Sequence, residues 1–477
     1  MSIFISLLPI FCLLLFLIVL KSSASKASFF TFCLTAFLGA FYFGIDIPGL
    51  YTSIISGLSL AFFIVMIICG AIYLYNLVQE SGALDVISKN ISIIVEDSLL
   101  QFLLLCWVFT AFLQGFAGFG VPVVIVAAIL KGMGYDPVKS AAAALIGHSW
   151  AISFGSMGSS IYAINMVTHT DISDITIWMV FFGGIAMFLT GLSVCLIHGG
   201  VTSVRKGFLP VALVSLSMSG ALFGVISNHM YSLAGFLTAA AGLAVLLLTS
   251  RLLFSKTSGK ALYKANLNII EAALPYALIV FFSLLFFYLD LALSILQHPF
   301  VIIFIASVFS IIYYMRKKAL KKGSIKIILK NTAQKCGPTA LTLAFLLSMT
   351  GLMRDSGMIT HIAGGLVGLT GELYPFFGPY IGLLGAFITG TTTNSNVIFG
   401  SLQETAANAL GFNAAIICAA QSVGASVGCA VGPTTVTLGA ASVELQGQEY
   451  KIYKTNIIPV LCILFILGVA NYIINTI

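Results

Sequence analysis

The stretch TGTTTNSNVIFG, residues 389–400, places seven hydroxyl or amide side chains in the eight positions from Thr389 to Asn396. Before it runs YIGLLGAFI (380–388), and after the polar cluster the chain turns apolar again in VIFGSL (397–402). A polar group taken out of water without a partner costs roughly 2–7 kcal/mol. A polar turn inside an apolar hairpin is therefore buried against protein or lines a wet cavity. The surrounding chain sets the scale of the problem. Of 477 residues, 60% are hydrophobic and 8% charged, and the mean hydropathy is +1.10. Soluble domains carry about 25% charged residues, so this chain cannot cover itself with a water-facing surface. It reads as an all-α, polytopic membrane protein.

Apolar segments of spanning length fall near 3–20, 28–45, 57–79, 99–115, 175–198, 208–226, 231–250, 270–296, 299–315, 336–353 and 455–474. Two stretches between them, 116–165 and 357–443, are hydrophobic yet broken by Gly, Pro and polar clusters. The N-terminal run IFISLLPIFCLLLFLIVL has no basic residues before it, and Lys21 and Lys26 follow it, which fits a retained first helix rather than a signal peptide.

The chain also repeats itself. Adding 275 sets ESGALDVI (80–87) on DSGMITHI (355–362) and AFLQG (111–115) on AFITG (386–390). After a two-residue insertion the offset is 277, and Gly134, Gly147, Ser149 and Gly155 fall on Gly411, Gly424, Ser426 and Gly432. This predicts a first repeat at 1–205, a two-helix insert at 206–267 and a second repeat at 268–477. The basic loops, Lys21/Lys26, Arg205/Lys206, 251–264, 316–335 and Lys451/Lys454, are expected on the cytoplasmic side. Threading the spans through them puts Ser81-Gly82 inside and the matching Ser356-Gly357 outside. The halves are thus expected to be inverted, with both termini outside. Inverted repeats joined at broken helices are a pattern of secondary transporters.

Two matched pairs of breaks carry the candidate chemistry. In QGFAGFGVP (114–122), Gln114 precedes Gly115, Gly118 and Gly120, which let backbone approach a ligand, and Pro122 suits the first turn of a new helix. In the opening stretch, Thr391, Thr392, Thr393, Asn394, Ser395 and Asn396 offer donors, with a helix expected to begin near Val397. Helix N-termini present free N–H groups and partial positive charge, which suit an anion such as a carboxylate. The plainer alternative, caps and small packing residues, stays open. The second pair is GHSWAISFGSMGSS (147–160) and QSVGASVGCAVGPTT (421–435), where Ser149, Ser156, Gln421, Ser422, Thr434 and Thr435 are the candidate side chains. His148 and Glu404 are candidate proton carriers, since ionisable groups at membrane depth are expensive.

Several function classes drop out. The sequence has no P-loop, HExxH or GxSxG, so neither ATP hydrolysis nor familiar hydrolytic chemistry is indicated. The nine Cys form no CxxC or metal-ligand spacing, so no metal, cofactor or disulfide framework is expected. The net charge of +7 sits in short loops and does not indicate nucleic acid.

AFLQGFAGFGVPVVIVAAILKGMGYDP (111–137), FGSMG (154–158), TGTTTNSNVIFGSLQETAANALG (389–411) and VGPTTVTLGAASVELQGQE (431–449), in this order, resemble the L-lactate permease family across nearly the whole chain. The resemblance implies a secondary carrier of lactate and related 2-hydroxy monocarboxylates such as glycolate, usually coupled to protons, in an inverted-repeat architecture that often forms homodimers. Three positions depart from the family pattern. Gln114 and Thr392 stand where acids are expected, and His148 stands where Asn is usual. Amide and hydroxyl groups carry no charge at neutral pH, so His148 is the candidate replacement, with uniport or Na⁺ coupling as alternatives. The rival readings are a sodium-coupled dicarboxylate or inorganic-anion carrier of similar architecture and, more distantly, a membrane sensor.

Overall fold

The computed structural model describes residues 2–20, 22–118, 120–254, 266–288 and 298–477. The described residues form helices and no extended strand. The first are α1 (Ser2–Leu14), α2 (Ala24–Phe41), α3 (Ile47–Glu80) and α4 (Ala83–Ile94). Next, α5 (Ser98–Leu103) runs through a π-turn at Leu104–Phe109 into α6 (Thr110–Gln114). Three short helices follow, α7 (Val121–Gly132), α8 (Pro137–Ser149) and α9 (Gly155–Val167). Then come α10 (Ile172–Ser227), broken at Gly199-Gly200, and α11 (Ala234–Phe254).

The remainder opens with α12 (Ile269–Ala272), α13 (Leu274–Tyr288), α14 (Pro299–Arg316), α15 (Ser324–Asp355) and α16 (Met358–Thr370). It closes with α17 (Tyr374–Thr389), α18 (Thr392–Leu410), α19 (Ala414–Gly428), α20 (Pro433–Ser442) and α21 (Glu449–Thr476). Eight helices among the described residues are long and apolar enough to cross a bilayer. Lys21, Asp290, and most of the 251–264 loop lie outside the described residues.

Local chemistry sets the helix starts. Asp46, Asp97, Asp136, Asp171 and Asn413 each accept a backbone N–H from the first turn of the helix that follows, a cap worth about 1 kcal/mol. Pro122 and Pro137 occupy the first turn of α7 and α8, where a missing N–H leaves nothing unpaired. Two sequence expectations shift. The spans expected at 57–79 and 336–353 are the C-terminal parts of longer helices, α3 and α15, whose additional N-terminal residues include Ser53, Ser324 and Thr332, each paired across the helix interface. The helix expected near Val397 begins at Thr392 instead, because the Thr391 side chain caps the Asn394 N–H at 3.1 Å.

Glycines matched in sequence take the same backbone role. Gly82 and Gly357 sit at φ +72° and +77°, and Gly134 and Gly411 at +92° and +74°, a left-handed region where a Cβ is penalised. Gly147 on α8 and Gly424 on α19 also match, since a Cβ on either would run into a backbone carbonyl, that of Cys106 or Pro379.

The long helices α3 and α15 pack side by side along their length. Ser53 donates to Asp355 at 2.5 Å at one end. At the other, Asn76 donates to Thr332 at 2.9 Å and Ser324 donates to Glu80 at 2.9 Å. At the crossing, a Cβ on Gly57 would lie 2.5 Å from Ser348 Cα. Residue numbers rise along one helix as they fall along the other, so the pair is antiparallel.

Candidate functional site

Four chain breaks meet around one cavity of about 230 Å³. Gln114 and Gly120 reach it from the α6–α7 turn, and Thr391, Thr392, Thr393 and Asn394 from the α17–α18 turn. His148 and Ser156 reach it from the α8–α9 break, and Cys429 and Thr435 from the α19–α20 break. The N-terminal ends of α7, α9, α18 and α20 are thus gathered at one place. Each such end contributes free N–H groups and partial positive charge that fade within a turn. No Asp, Glu, Lys or Arg lines the cavity among the described residues. It is smaller than the ~300–1,000 Å³ pockets that take drug-sized ligands, and it fits a small polar anion.

Two of the lining side chains carry an acceptor atom that the described hydrogen bonds leave unused. Gln114 is buried and its Oε1 has no hydrogen-bond partner. His148 is buried as well, and its Nδ1 lies 3.0 Å from both the Ala144 and Leu145 carbonyl oxygens. Carbonyls only accept, so the Nδ1 carries the hydrogen and donates. The neutral ring therefore keeps its lone pair on Nε2.

The other candidates hold the cavity wall rather than face it. Ser395 Oγ donates to the Gly382 carbonyl at 2.9 Å and accepts from Gln421 at 3.1 Å. Gln421 Oε1 accepts from Gln403 at 2.9 Å, whose own Oε1 accepts from the Tyr374 hydroxyl at 2.7 Å. Asn396 donates to the Ser160 carbonyl at 3.0 Å and to Ser422 Oγ at 2.9 Å, leaving its own Oδ1 unpaired. These residues lie one to two turns inside α18 and α19, so the helix turns their side chains toward neighbouring helices. Within the stretch expected to be broken, 421–435, α19 runs on to Gly428 and the break falls at Cys429–Gly432.

Ser149 Oγ bonds back to the Ile146 carbonyl at 2.8 Å, while its carbonyl accepts from Ser426. Gly115 lies against the backbone of Phe236, 2.8 Å from where a Cβ would sit, and Gly118 faces Ser156. Thr434 is exposed and packs on Gly390. Glu404 is remote from the cavity. Its Oε1 accepts from the His169 N–H at 2.7 Å and the Thr170 hydroxyl at 2.8 Å, fastening the turn before α10.

Sequence reasoning missed several hydroxyls of the lining, four of them on α9 and α15. Ser160 lies 3.0 Å and Ser159 3.5 Å from Thr393 Oγ1, and Thr339 and Thr342 contribute from α15. The serines belong to a stretch already marked as a break. The threonines follow Pro338 inside a span and carry no period of their own.

A family profile described as L-lactate permease matches residues 2–289 and 287–477. An L-lactate permease of Streptococcus iniae is 29% identical over 438 residues, covering 86% of this chain and 91% of its own. The glycolate permease GlcA of Escherichia coli is 26% identical over 543 residues, covering 99% and 95%. Among solved structures, the Alcanivorax borkumensis YdaH transporter, described as having an unusual topology, superposes with a TM-score of 0.53 at 14% identity, over 98% of both chains. That likeness concerns the fold alone.

Proposed function

The chain belongs to the L-lactate permease family, a family of multi-pass membrane transporters rather than enzymes, and on that premise we propose that it carries L-lactate, glycolate or a close 2-hydroxy monocarboxylate by proton symport. The observation that carries this reading is the meeting of four broken helices at one small neutral cavity. Helix N-termini and the hydroxyl and amide donors from Thr391 to Asn394 suit the carboxylate. The unpaired Gln114 Oε1 suits the 2-hydroxyl, which is a donor. With no buried cation in the lining, the anion is held by partial charges and released readily. A proton taken by His148 at Nε2 makes the loaded site neutral, which lowers the expense of carrying charge through a low-dielectric interior. His148 would thereby stand in for the acids that Gln114 and Thr392 replace.

The division into repeats 1–205 and 268–477 around an insert at 206–267 belongs to the same proposal. Its support is that α3 and α15, matched at an offset of 275, run antiparallel, as inversion demands. Ser149 and Ser426, matched at 277, also touch one another. The basic loops then place both termini outside and the α3–α4 turn inside.

The deciding experiment is uptake of labelled L-lactate and glycolate into proteoliposomes with pH and Na⁺ gradients imposed separately. Acceleration by an inward proton gradient supports symport, whereas dependence on Na⁺ alone replaces it with the sodium-coupled reading. His148→Gln should flatten the pH profile of uptake while leaving the protein folded. An unaltered profile assigns His148 a structural part.

A further inference from the structure

Beside the central cavity lies a second one of about 320 Å³, lined by Tyr75, Gly118, Gln334, Lys335, Pro338 and Thr339 among others. Pro338 and Thr339 line both, so the two spaces adjoin. Tyr75 in turn lines a third space of about 230 Å³ bounded by Gln79, Asp85, Ser88 and Lys89 next to the α3–α4 turn. The three spaces thus share lining residues in succession from the central site to the α3–α4 turn. Asp85 and Lys89 both line the last of them. Among the described residues Lys335 is the cation lining the middle cavity, and no acid lines it.

Lys335 is held rather than free to swing. Its ammonium donates to Asn76 Oδ1 at 3.4 Å and lies 4.9 Å from the centre of the Tyr75 ring. Asn76 is fixed in turn, donating from Nδ2 to Thr332 at 2.9 Å. Among the described residues no carboxylate forms an ion pair with Lys335, which is the twelfth residue of the 32-residue α15. Lys335 is exposed at the mouth of this cavity, and a cleft with low-dielectric walls strengthens the field of a single charge.

We propose that the second cavity is a carboxylate waypoint, where Lys335 collects the anion between the cytoplasmic face and the central site, with Asn76 as its positioning residue. It rests on the reading of the protein as a carboxylate carrier. A cation here attracts substrate without trapping it, because the central site that must release the anion contains none.

The test has two arms. In the first, Thr339→Cys is labelled with an anionic and with a cationic methanethiosulfonate, and modification at residue 339 is followed by peptide mass spectrometry. With Lys335 present the anionic reagent should gain about 10-fold relative to the cationic one, and Lys335→Gln should erase that preference. In the second, uptake of lactate by Lys335→Gln should show KM raised by about 10-fold with kcat little altered, and Lys335→Arg should restore most of it. Asn76→Ala should give an intermediate KM. An unchanged labelling preference and an unchanged KM in Lys335→Gln overturn the waypoint. So does a loss that Lys335→Arg does not repair. If the unaltered protein moves neither lactate nor glycolate while the labelling preference holds, the substrate reading fails and the anion waypoint stands.

Discussion

The two breaks that interrupt α8–α9 and α19–α20 are matched in sequence but built on different physics. In the first, Ser156, Met157 and Gly158 hold φ of +49°, +56° and +76°. Two of these are not glycine, and each costs roughly 1–2 kcal/mol in that region. The strain is met by neighbours. Met157 N–H donates to the Gly115 carbonyl at 3.0 Å, and Gly235 N–H on α11 donates to the Phe154 carbonyl at 3.0 Å. In the second break, a short 3₁₀ turn at Cys429–Val431 leads to Gly432 at φ −66°. Thr435 donates to the Gly432 and Cys429 carbonyls at 2.9 and 2.5 Å, and Asn456 donates to Ala430 at 3.1 Å. The second break satisfies itself with side chains of its own half. The first depends on α11, an element of the proposed insert, and so is the one whose geometry a helix outside the proposed repeats can shift.

The largest effects should be equal in the two halves. Gly147→Ala and Gly424→Ala each drive a methyl into a carbonyl, with an expected loss of about 1–3 kcal/mol each, or no folded protein, checked by thermal unfolding in detergent. A large loss at one site and none at the other would break the structural match itself. Next comes Asn394→Ala at the cavity. Losing a donor to a charged ligand removes about 1.5–3 kcal/mol, so uptake should fall by about 10- to 100-fold with expression intact. Unchanged transport removes Asn394 from the site.

A smaller pair separates the breaks by sign. Ser156→Gly places glycine where φ is positive and should stabilise by about 0.5–1 kcal/mol. Thr434→Gly, in the first turn of α20, should destabilise by a few tenths, roughly the propensity difference. Equal signs in the unfolding temperatures would contradict the strain assigned to the first break.

The smallest effect concerns the Lys131–Glu444 pair, 2.7 Å apart, which ties the end of α7 to the turn after α20. The hydrogen bond and charge of Lys131 hold the Glu444 carboxyl below its ordinary value. A depressed carboxylate contributes its stability above the unfolded value of about 4.3 and loses it as pH falls through the lowered one. Glu444 is exposed, so Glu444→Gln should barely alter stability at neutral pH, and added salt should erase the difference. A large effect would mean that this tie holds the two regions together.

Much of this is visible in the chain before folding. The breaks around 114–120 and 391–394 are marked by glycine and hydroxyl runs, and both line the cavity. The turn glycines Gly82, Gly134, Gly357 and Gly411 stand out at fixed offsets. Ser395, Asn396, Gln421 and Ser422 look equally suited to a ligand in sequence, yet they pair with one another and with Ser160 in the wall. Glu404 looks like a proton site and instead caps a turn. Thr339, Thr342 and Lys335 are indistinguishable from ordinary residues of a long helix until α15 is laid beside the breaks.

By itself the sequence determined the membrane class and the neighbourhoods in which helices break, because hydropathy, glycine freedom and capping act over a few residues. The tertiary structure decided which polar groups see the cavity and which see each other. That depends on how far each helix is rotated about its axis, and the rotation is set by close packing between segments more than two hundred residues apart, such as Ser160 with Asn396 and Ser153 with Ser422. No local pattern encodes it.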